Sequence, residues 1–310
     1  MRILITGAGG PATDALAKGL GDYTLLFADQ NPKRIHPSIS EEIKFELPTA
    51  TSEYFESELK TLCIENEVNL IISQVDEELI KVKSVLQEVG NLDDISPEVE
   101  FIKLSLDKFN LGKSLRENFV QDPSTEMLLS SSAFGGRELI LKPRFGRGSR
   151  GVFRVKSESE FDLLKKYLLA LGQEYIFQDF LDGQEFTVQM MATKGGQLAA
   201  VSPLRVIEKR GSTTNCFVDL NEQVLQTCLA FHGKYLPRGT YNIQLILDKE
   251  GYAKIIEINP RVSTTMCVAL ELGFNPIKIF FQESHEDKIH LPTANIEMRR
   301  YWTNFFIRGA

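Results

Sequence analysis

Glu257, Asn259 and Arg261 stand at intervals of two in the run EINPR, with Pro260 between the last pair. Residues two apart in a strand share a face, so Glu257 and Asn259 point the same way. Upstream, Ile243, Leu245 and Leu247 alternate with Asn242, Gln244 and Ile246, and Asp248-Lys249-Glu250-Gly251 leads into a second β-rich run at 253–258. Two such runs around a short glycine-containing loop predict a β-hairpin. With a four-residue loop, Leu247 faces Tyr252, Asn242 faces Glu257, and Gln244 is a diagonal neighbour of Glu257; a three- or five-residue loop shifts that register. A carboxylate, two amide oxygens and an arginine then crowd one strand end. Hard oxygens from Gln244, Glu257 and Asn259 suit Mg2+, which takes one or two protein carboxylates and completes its shell with phosphate and water. Arg261 would hold the anion that the metal bridges. A solvated polar face, with Arg261 in a surface ion pair, is the plainer reading of the same residues.

A second group suits phosphate. Lys142, Arg144, Arg147 and Arg150 place four positive charges within nine residues, interleaved with Gly146, Gly148, Ser149 and Gly151. Strands expected at 138–142 and 152–155 flank this segment, so it reads as a hairpin loop whose backbone N–H groups can wrap an anion. No G-K-[ST] closes it, so it is not a Walker A loop. It reads as a lid over phosphates, with an exposed basic loop for a partner as the alternative. Lys108 lies in KLSLDKFNL, which the pattern makes the lead of a helix into Arg116. The apolar run 175–181 (YIFQDFL) offers backbone edges to a flat purine. Glu185, after the turn at Asp182-Gly183, offers a carboxylate to ribose hydroxyls; an ordinary hairpin also accounts for both. Residues 204–214 carry Arg205, Lys209 and Arg210, a second basic segment suited to a substrate carboxylate.

These groups need a scaffold. Strands at 2–6, 23–28 and 69–73 alternate with helices at 11–20, 52–66 and 76–89. Pro11 suits a first helical position and Ser52 a cap. This βαβαβα rhythm predicts a parallel, doubly wound sheet. Gly7-x-Gly9-x-x-Ala12 also fits the dinucleotide fingerprint, with Asp29 about 20 residues on; a tight, closely packed strand-to-helix turn is the plainer reading of this short pattern. Beyond a boundary near 91–97 the character changes. A helix is expected at 159–170, strands at 186–192 and 198–202, a helix at 220–235 and then the hairpin. Helices at 265–272 and 275–283 and a β-like aromatic tail at 296–307 complete the chain.

The 310 residues predict two domains, or one domain with subdivisions, and a hydrophobic content of 43% suits a full core. A net charge of −7 and a pI of 5.4 weigh against nucleic acid as the main partner, because binding a phosphate backbone needs a clustered basic surface. No run reaches about 18 apolar residues, so no membrane span is expected. The opening MRILITGAGG reads as strand and turn rather than signal peptide, and a cytoplasmic location is expected. Cys63, Cys216, Cys228 and Cys267 are widely spaced and form no C-x-x-C, which fits buried free thiols in a reducing compartment. His36, His232, His285 and His290 form no H-x-x-x-H, so zinc is not expected.

Taken in order, these pieces resemble the ATP-grasp superfamily, and within it an ATP-binding half of the carbamoyl phosphate synthetase large subunit. The resemblance covers nearly the whole chain. Its most specific string is Glu257-Ile258-Asn259-Pro260-Arg261-Val262-Ser263, similar to the family signature E-[MI]-N-P-R-[VLF]-S. Lys142-Pro143 before a glycine-rich loop and Asp182-Gly183-Gln184-Glu185-Phe186-Thr187-Val188 agree with it. The implied fold is α/β and α+β: a Rossmann-like pre-ATP-grasp domain at 1–95, then a two-lobed ATP-grasp domain at 96–310. Within the latter, a small lid lobe would span 125–182 and a C-terminal lobe 183–310.

The resemblance also implies roles. Lys108 and Lys142 would contact ATP phosphates, and the loop at 146–151, with Arg147, Gly148 and Ser149, would close over them. Asp179 and Leu181 would flank the adenine and Glu185 would bind the ribose. Gln244, Glu257 and Asn259 would ligate Mg2+, with Mn2+ as a substitute. Arg261, with Asn259 and Lys142, would serve the transferred phosphoryl group, and Arg205 and Arg210 an anionic substrate. Asp179 stands where the family more often has Glu, and Lys142 where the synthetase has Arg. Gln244 replaces the acidic ligand of many members, as in the synthetase branch. The implied activity is an ADP-forming ligase, in which a carboxylate attacks the γ-phosphoryl group and an amine or thiol captures the acyl phosphate. Its partners would be small carboxylates and amines, and many family members are homodimers. Two other readings stand beside it: carbamate or bicarbonate phosphorylation as in the synthetase, and an NAD-dependent oxidoreductase using Gly7 to Asp29. The last leaves Glu257 to Arg261 unexplained. Pre-ATP-grasp domains, moreover, carry a glycine-rich first turn without usually binding a dinucleotide.

Overall fold

A computed structural model describes residues 1–118, 122–128, 134–148, 150–282, 288–301 and 303–306. Ser149, the end of the helix expected at 275–283 and parts of the expected tail strand lie outside them. The chain opens with β1 (Arg2–Thr6), α1 (Thr13–Gly19), β2 (Thr24–Asp29), β3 (Lys44–Glu46), α2 (Phe55–Glu65), β4 (Leu70–Ser73), α3 (Leu79–Glu88) and β5 (Asp93–Asp94). Their strands form a parallel sheet in the order β3-β2-β1-β4-β5. Ile3, Leu4 and Ile5 of β1 and Leu70, Ile71 and Ile72 of β4 are all buried, the continuous apolar pattern of a parallel sheet covered on both faces. Chain order reverses between β1 and β4, the position where open α/β sheets form a crevice at the strands' carboxyl ends. Thr6 and Ser73 stand there.

Three expectations change in this region. Ser52 does not cap α2, which starts at Phe55 after Tyr54. The helix expected from Pro11 starts at Thr13, with Pro11 in the turn before it. Asp29 spends both carboxylate oxygens on the backbone: Oδ2 accepts the Gly9 N–H at 2.8 Å and Oδ1 the Asn31 N–H at 3.0 Å. It ties down the glycine turn.

Next come α4 (Val99–Leu106) and α5 (Lys108–Glu117), two helices where one continuous run was expected. Asp107 separates them with an extended backbone and caps α5 by accepting the N–H groups of Phe109 and Asn110. Lys108 thereby becomes the first residue of α5, and it is buried. β6 (Glu126–Met127), β7 (Leu139–Pro143), β8 (Phe153–Val155), α6 (Glu158–Ala170) and β9 (Tyr175–Asp179) follow. Among the described residues these strands form a four-stranded antiparallel sheet, β6-β9-β7-β8. Phe161 and Leu168 of α6 pack into its core with Leu139, Leu141 and Phe177.

The rest is β10 (Gly183–Ala192), β11 (Leu198–Arg210), β12 (Ser212–Val218), α7 (Glu222–Tyr235), β13 (Thr240–Asp248), β14 (Ala253–Asn259), α8 (Met266–Glu271), α9 (Pro276–Phe280) and β15 (Glu297–Arg299). Among the described residues the strands form a six-stranded antiparallel sheet, β14-β13-β10-β11-β12-β15. Phe186, Val188, Met190, Tyr241, Ile243 and Leu245 pack from one face against Phe231 of α7 and Phe101 of α4. Alternation puts Thr187, Gln189, Asn242 and Gln244 on the other face. β10 starts at Gly183, ahead of the expected 186, so Glu185 lies inside the strand. The basic segment at 204–214 is a paired hairpin turning at Gly211, so β11 runs well past the expected 198–202.

The β13–β14 register differs from the four-residue-loop expectation. Leu247 faces Ala253 and Leu245 faces Ile255, yet Gln244 faces Glu257 and Asn242 faces Asn259. A bulge at Ile256 supplies the extra residue. It reverses the phase of β14, so Ile255 and Ile258 both reach the core while Glu257 and Asn259 join the polar face.

α7 carries a pH-sensitive buried residue. His232 Nε2 lies 3.0 Å from the Gly196 carbonyl oxygen and Nδ1 2.9 Å from the Tyr241 hydroxyl. A carbonyl only accepts, so Nε2 carries the proton and the tyrosine hydroxyl donates to Nδ1. Burial pushes the imidazole below its ordinary pKa of 6.5, more than the Gly196 bond raises it. The neutral form is therefore the folded form, and its stabilising contribution is present above pH 6.5 and lost as pH falls below it. His232→Gln is expected to flatten the loss of thermal stability between pH 6.5 and 5, read as Tm against pH.

Candidate active site

Two connected cavities lie where the three sheets meet. The narrower, of about 240 Å³, is a slot between the four-stranded sheet and the edge of the six-stranded one. Ile140, Val152, Phe180, Ile246 and Ile256 give it apolar walls, and Asp179 and Leu181 line its rim. At its other end stand Lys108, Lys142, Arg147, Arg150, Lys209 and Glu257. The wider cleft, of about 630 Å³, runs from Gln244, Glu257, Asn259 and Arg261 to the glycine turn after β1. Gln244 and Glu257 line both cavities, whereas Asn242 and Asn259 line only the wider one.

The cations at the junction are built in from different elements. Lys108 Nζ donates to the Gly146 carbonyl at 2.6 Å and lies 3.3 Å from Glu257 Oε1. Lys142 Nζ donates at 2.9 Å to the carbonyl of Ile256, the bulged residue; the bulge leaves backbone groups outside the ladder for such a partner. Burial pushes the Lys142 ammonium down to about 8 against the pull of Glu257, and Lys108 and Lys209 depress it further. Lys209 pairs with Glu185 and lies 3.4 Å from Gln244 Oε1. Three ammonium groups thus surround two carboxylates, Glu257 and Glu185, in a concave site of an acidic protein, an arrangement short of negative charge.

Arg144 does not face this junction. It makes a forked pair with Asp107, with Nε at 2.8 Å from Oδ1, and lies over the Phe109 ring. Burial works against the Asp107 charge, yet the Arg144 bonds and the N–H groups of Asn110 and Phe109 hold its carboxyl below the ordinary range. The pair fixes the start of α5, and with it Lys108. Gly148 and Gly151 have φ of +69° and +67°, a left-handed backbone that glycine adopts without strain, and they let the loop turn over the slot.

The turn after β4 joins the parallel sheet to this site through three consecutive acids. Asp76 pairs with Arg261, and the two side chains are only 10% and 13% exposed. Arg261 also donates to Asn259 Oδ1 at 3.3 Å. Glu77 accepts from Arg147 Nε at 3.0 Å. Glu78 accepts from the Thr6 hydroxyl and, at 2.7 Å, from that of Ser73. Burial raises the Glu78 carboxyl above its ordinary range despite those two bonds.

The structure brings Lys108, Lys142, Arg147, Gln244, Glu257, Asn259 and Arg261 together, with Gly148 and Arg210 on the wider cleft and Asp179 and Leu181 on the slot. Glu185 faces Lys209 instead of lining the slot. Arg205 stands outside both cavities, over the Phe217 ring and 3.8 Å from Asp219. Ser149 is outside the described residues. Sequence reasoning missed Asp76, Glu77 and Glu78, and counted Lys209 only as part of the basic segment at 204–214, singling out Arg205 and Arg210 instead. The signal for the acids was a run of three directly after a buried parallel strand, where such sheets open their crevices.

A family model described as the ATP-grasp domain matches residues 105–265, just over half of the chain. A D-alanine–D-alanine ligase from Petrotoga mobilis is 26% identical over 129 residues, which is 40% of this chain and 42% of that protein; the chain thus spans under half of the curated relative it matches. Among solved structures, N5-carboxyaminoimidazole synthetase from Staphylococcus aureus complexed with ADP superposes with a TM-score of 0.69 at 14% identity, over 92% of this chain and 78% of that one. L-amino acid ligase from Bacillus licheniformis gives 0.65 at 17% identity, over 86% and 68%. Biotin carboxylase from Campylobacter jejuni gives 0.66 at 17% identity, over 89% and 69%.

Proposed function

We propose that this chain, which belongs to the ATP-grasp family, is an ATP-dependent ligase that joins a small carboxylate to an amine or thiol through an acyl phosphate, releasing ADP and phosphate. The observation that carries this reading is the slot with isoleucine, valine and phenylalanine walls and a lysine-rich end, opening past Glu257 into a wider polar cleft. A flat base suits the apolar walls, and a polyphosphate suits buried ammonium groups that lack matching negative charge. The donor set also fits Mg2+. Glu257, Gln244 and Asn259 are hard oxygens on one face of neighbouring strands, and a single carboxylate beside amides leaves room for phosphate oxygens and water in the shell. Bound there, Mg2+ would neutralise charge on the phosphates.

In this reading Lys108 and Lys142 bind phosphate oxygens, and Arg147 with the glycine-rich loop covers them and excludes water from the acyl phosphate. Asp179 and Leu181 border the base. Arg261, oriented by Asp76, steadies the phosphoryl group on the acceptor side. Lys209 and Arg210 face the carboxylate substrate; Lys209 takes the place first given to Arg205, and Glu185 acts by holding Lys209 rather than by binding ribose. The catalytic contribution is position and charge, with no covalent enzyme intermediate. The division into a Rossmann-like unit at 1–95 and a grasp unit at 96–310 belongs to the same reading, as does a cytoplasmic, dimeric enzyme. Among the described residues no helix is long and apolar enough to cross a membrane. The dinucleotide reading loses support because Asp29 is spent on its own turn.

The test is titration of ATP and of NAD+ into the protein with and without Mg2+, followed by ADP release from mixtures of amino acids and small acids. Mg2+-dependent ATP binding with ADP release that needs both co-substrates is expected. NAD+ binding with no response to ATP would overturn the proposal.

A further inference from the structure

The turn Asp76–Glu78 is a single turn of 3-10 helix, so its three acids point a third of a revolution apart. Asp76 goes to Arg261 and Glu77 to Arg147. Glu78 forms no ion pair among the described residues. It is only 7% exposed, and its Oε2 accepts from the hydroxyls of both Thr6 and Ser73. Ser73 Oγ in turn accepts the Val75 N–H at 3.2 Å, which leaves the hydroxyl proton for the carboxylate. An oxygen that already accepts two hydroxyl protons is not the one that carries a proton, so Oε1 is the atom that titrates. Oε1 has no hydrogen-bond partner among the described residues, yet it is not sealed off, because Glu78 lines the wider cleft. It does not line the slot assigned to nucleotide. Burial raises this carboxyl above its ordinary range; the Thr6 and Ser73 bonds and Arg147 of the glycine-rich loop pull it down, and Asp29 at the end of β2 pushes it up. A purely structural tie to the two hydroxyls needs only an amide oxygen, and burying a carboxylate in its place is costly. The titrating oxygen on the cleft side is what the acid adds.

We propose that Glu78 Oε1 is the proton acceptor for the nucleophile that captures the acyl phosphate. This rests on the ligase reading above, and it adds a proton transfer to the position and charge named there. The same turn that orients Arg261 through Asp76 thus places a base on the acceptor side of the cleft. An ordinary exposed carboxylate is a poor base near neutral pH, and a carboxyl raised by burial is a better one. In the step, the nucleophile's heteroatom bonds to the acyl carbon. Its bond to hydrogen breaks with the electron pair left on the heteroatom, and the proton passes to Oε1. The C–O bond to the phosphoryl group then breaks with its electron pair on the departing oxygen. Cleft water carries the proton from Glu78 to the phosphate, which leaves as hydrogen phosphate, and the carboxylate is restored. The hydroxyls of Thr6 and Ser73 hold Oε2 throughout, so that Oε1 stays turned to the cleft.

The test compares two nucleophile sources, with ATP, Mg2+ and a mixture of the proteinogenic amino acids: the amino acids alone, and the same mixture with hydroxylamine. Hydroxylamine is a strong nucleophile of weakly basic nitrogen, and its adduct sheds a proton to water unaided. Glu78→Gln keeps the shape of the side chain and an oxygen for the two hydroxyls. It is expected to lower ADP release with the amino acids alone by about 10²-fold, while hydroxamate formation stays near the wild-type rate. In wild type the amino-acid rate falls as pH drops through the Glu78 pKa, because the base must be deprotonated. That limb is absent from Glu78→Gln and from the hydroxylamine reaction. Thr6→Val removes a bond that lowers the carboxyl, so it moves the limb to higher pH, and it decides the matter if Glu78→Gln fails to fold. An unchanged amino-acid rate in Glu78→Gln, an equal loss with both nucleophiles, or a limb that Thr6→Val leaves in place overturns the inference. ADP release is read separately: its absence in wild type overturns the ligase reading, whereas its presence with any of those three results overturns this inference alone.

Discussion

Glu257→Ala is expected to lower the rate of ADP release by about 10²–10³-fold and to remove most of the Mg2+ dependence of ATP binding. Glu257 is the carboxylate common to both cavities and faces Gln244 across the ladder. It is also the negative charge beside the Lys108 ammonium, at 3.3 Å. Its removal takes away the anionic ligand of the proposed Mg2+ and leaves three lysines facing one another. Glu185 is then the nearby acid, and it is already paired with Lys209. The loss of Glu257 also removes the charge that opposes the lowering of the Lys142 pKa, so more of that lysine is neutral at pH 8. Glu257→Gln separates the two effects, because it keeps an oxygen ligand while removing the charge. Titration calorimetry with and without Mg2+, beside steady-state ADP release, provides the check. Unchanged release in Glu257→Ala would remove the metal from this strand pair.

Arg261→Lys is expected to cost about 10²-fold in the rate of ADP release with little change in ATP affinity. The change keeps the charge and loses the fork. Arg261 bonds Asp76, the Val262 carbonyl and Asn259 Oδ1 from different edges of one planar group, and an ammonium cannot reproduce that geometry. Because the guanidinium stands on the wider cleft rather than the slot, the loss falls on phosphoryl transfer and not on nucleotide binding. Asp76→Ala gives a companion result. It frees Arg261 to rotate and leaves a largely buried guanidinium without its carboxylate, so it is expected to lower stability by about 3 kcal/mol as well as lowering the rate. Equal losses in ATP affinity and turnover for Arg261→Lys would place the arginine on the nucleotide instead.

The chemistry was legible because it is local. A signature of seven residues, a glycine-rich basic loop and a Gly-Gln-Glu turn each sit within one short segment, and the period of the apolar residues places each on a strand or loop. The same locality misplaced Arg205 and Glu185. Both lie in suitably charged or polar segments, but the pairing of β10, β11 and β12 puts Arg205 over Phe217 and turns Glu185 to Lys209. Asp107 illustrates another limit: a capping side chain held by Arg144, 37 residues away, breaks a run that the local pattern reads as one helix.

By itself the amino-acid sequence determined the family and the parallel first sheet, and it named the oxygens and cations that the proposed Mg2+ and phosphate sites would use, since residue types and their periodicity suffice for that. The tertiary structure alone decided how they meet. The bulge at Ile256 reverses the phase of β14, so Glu257 and Asn259 leave the core face and stand opposite Gln244 and Asn242. It also frees a carbonyl that anchors Lys142. The acids after β4 reach Arg261 and Arg147 across sequence separations of 185 and 70 residues. Such contacts depend on three-dimensional proximity between distant segments, which no local periodicity encodes.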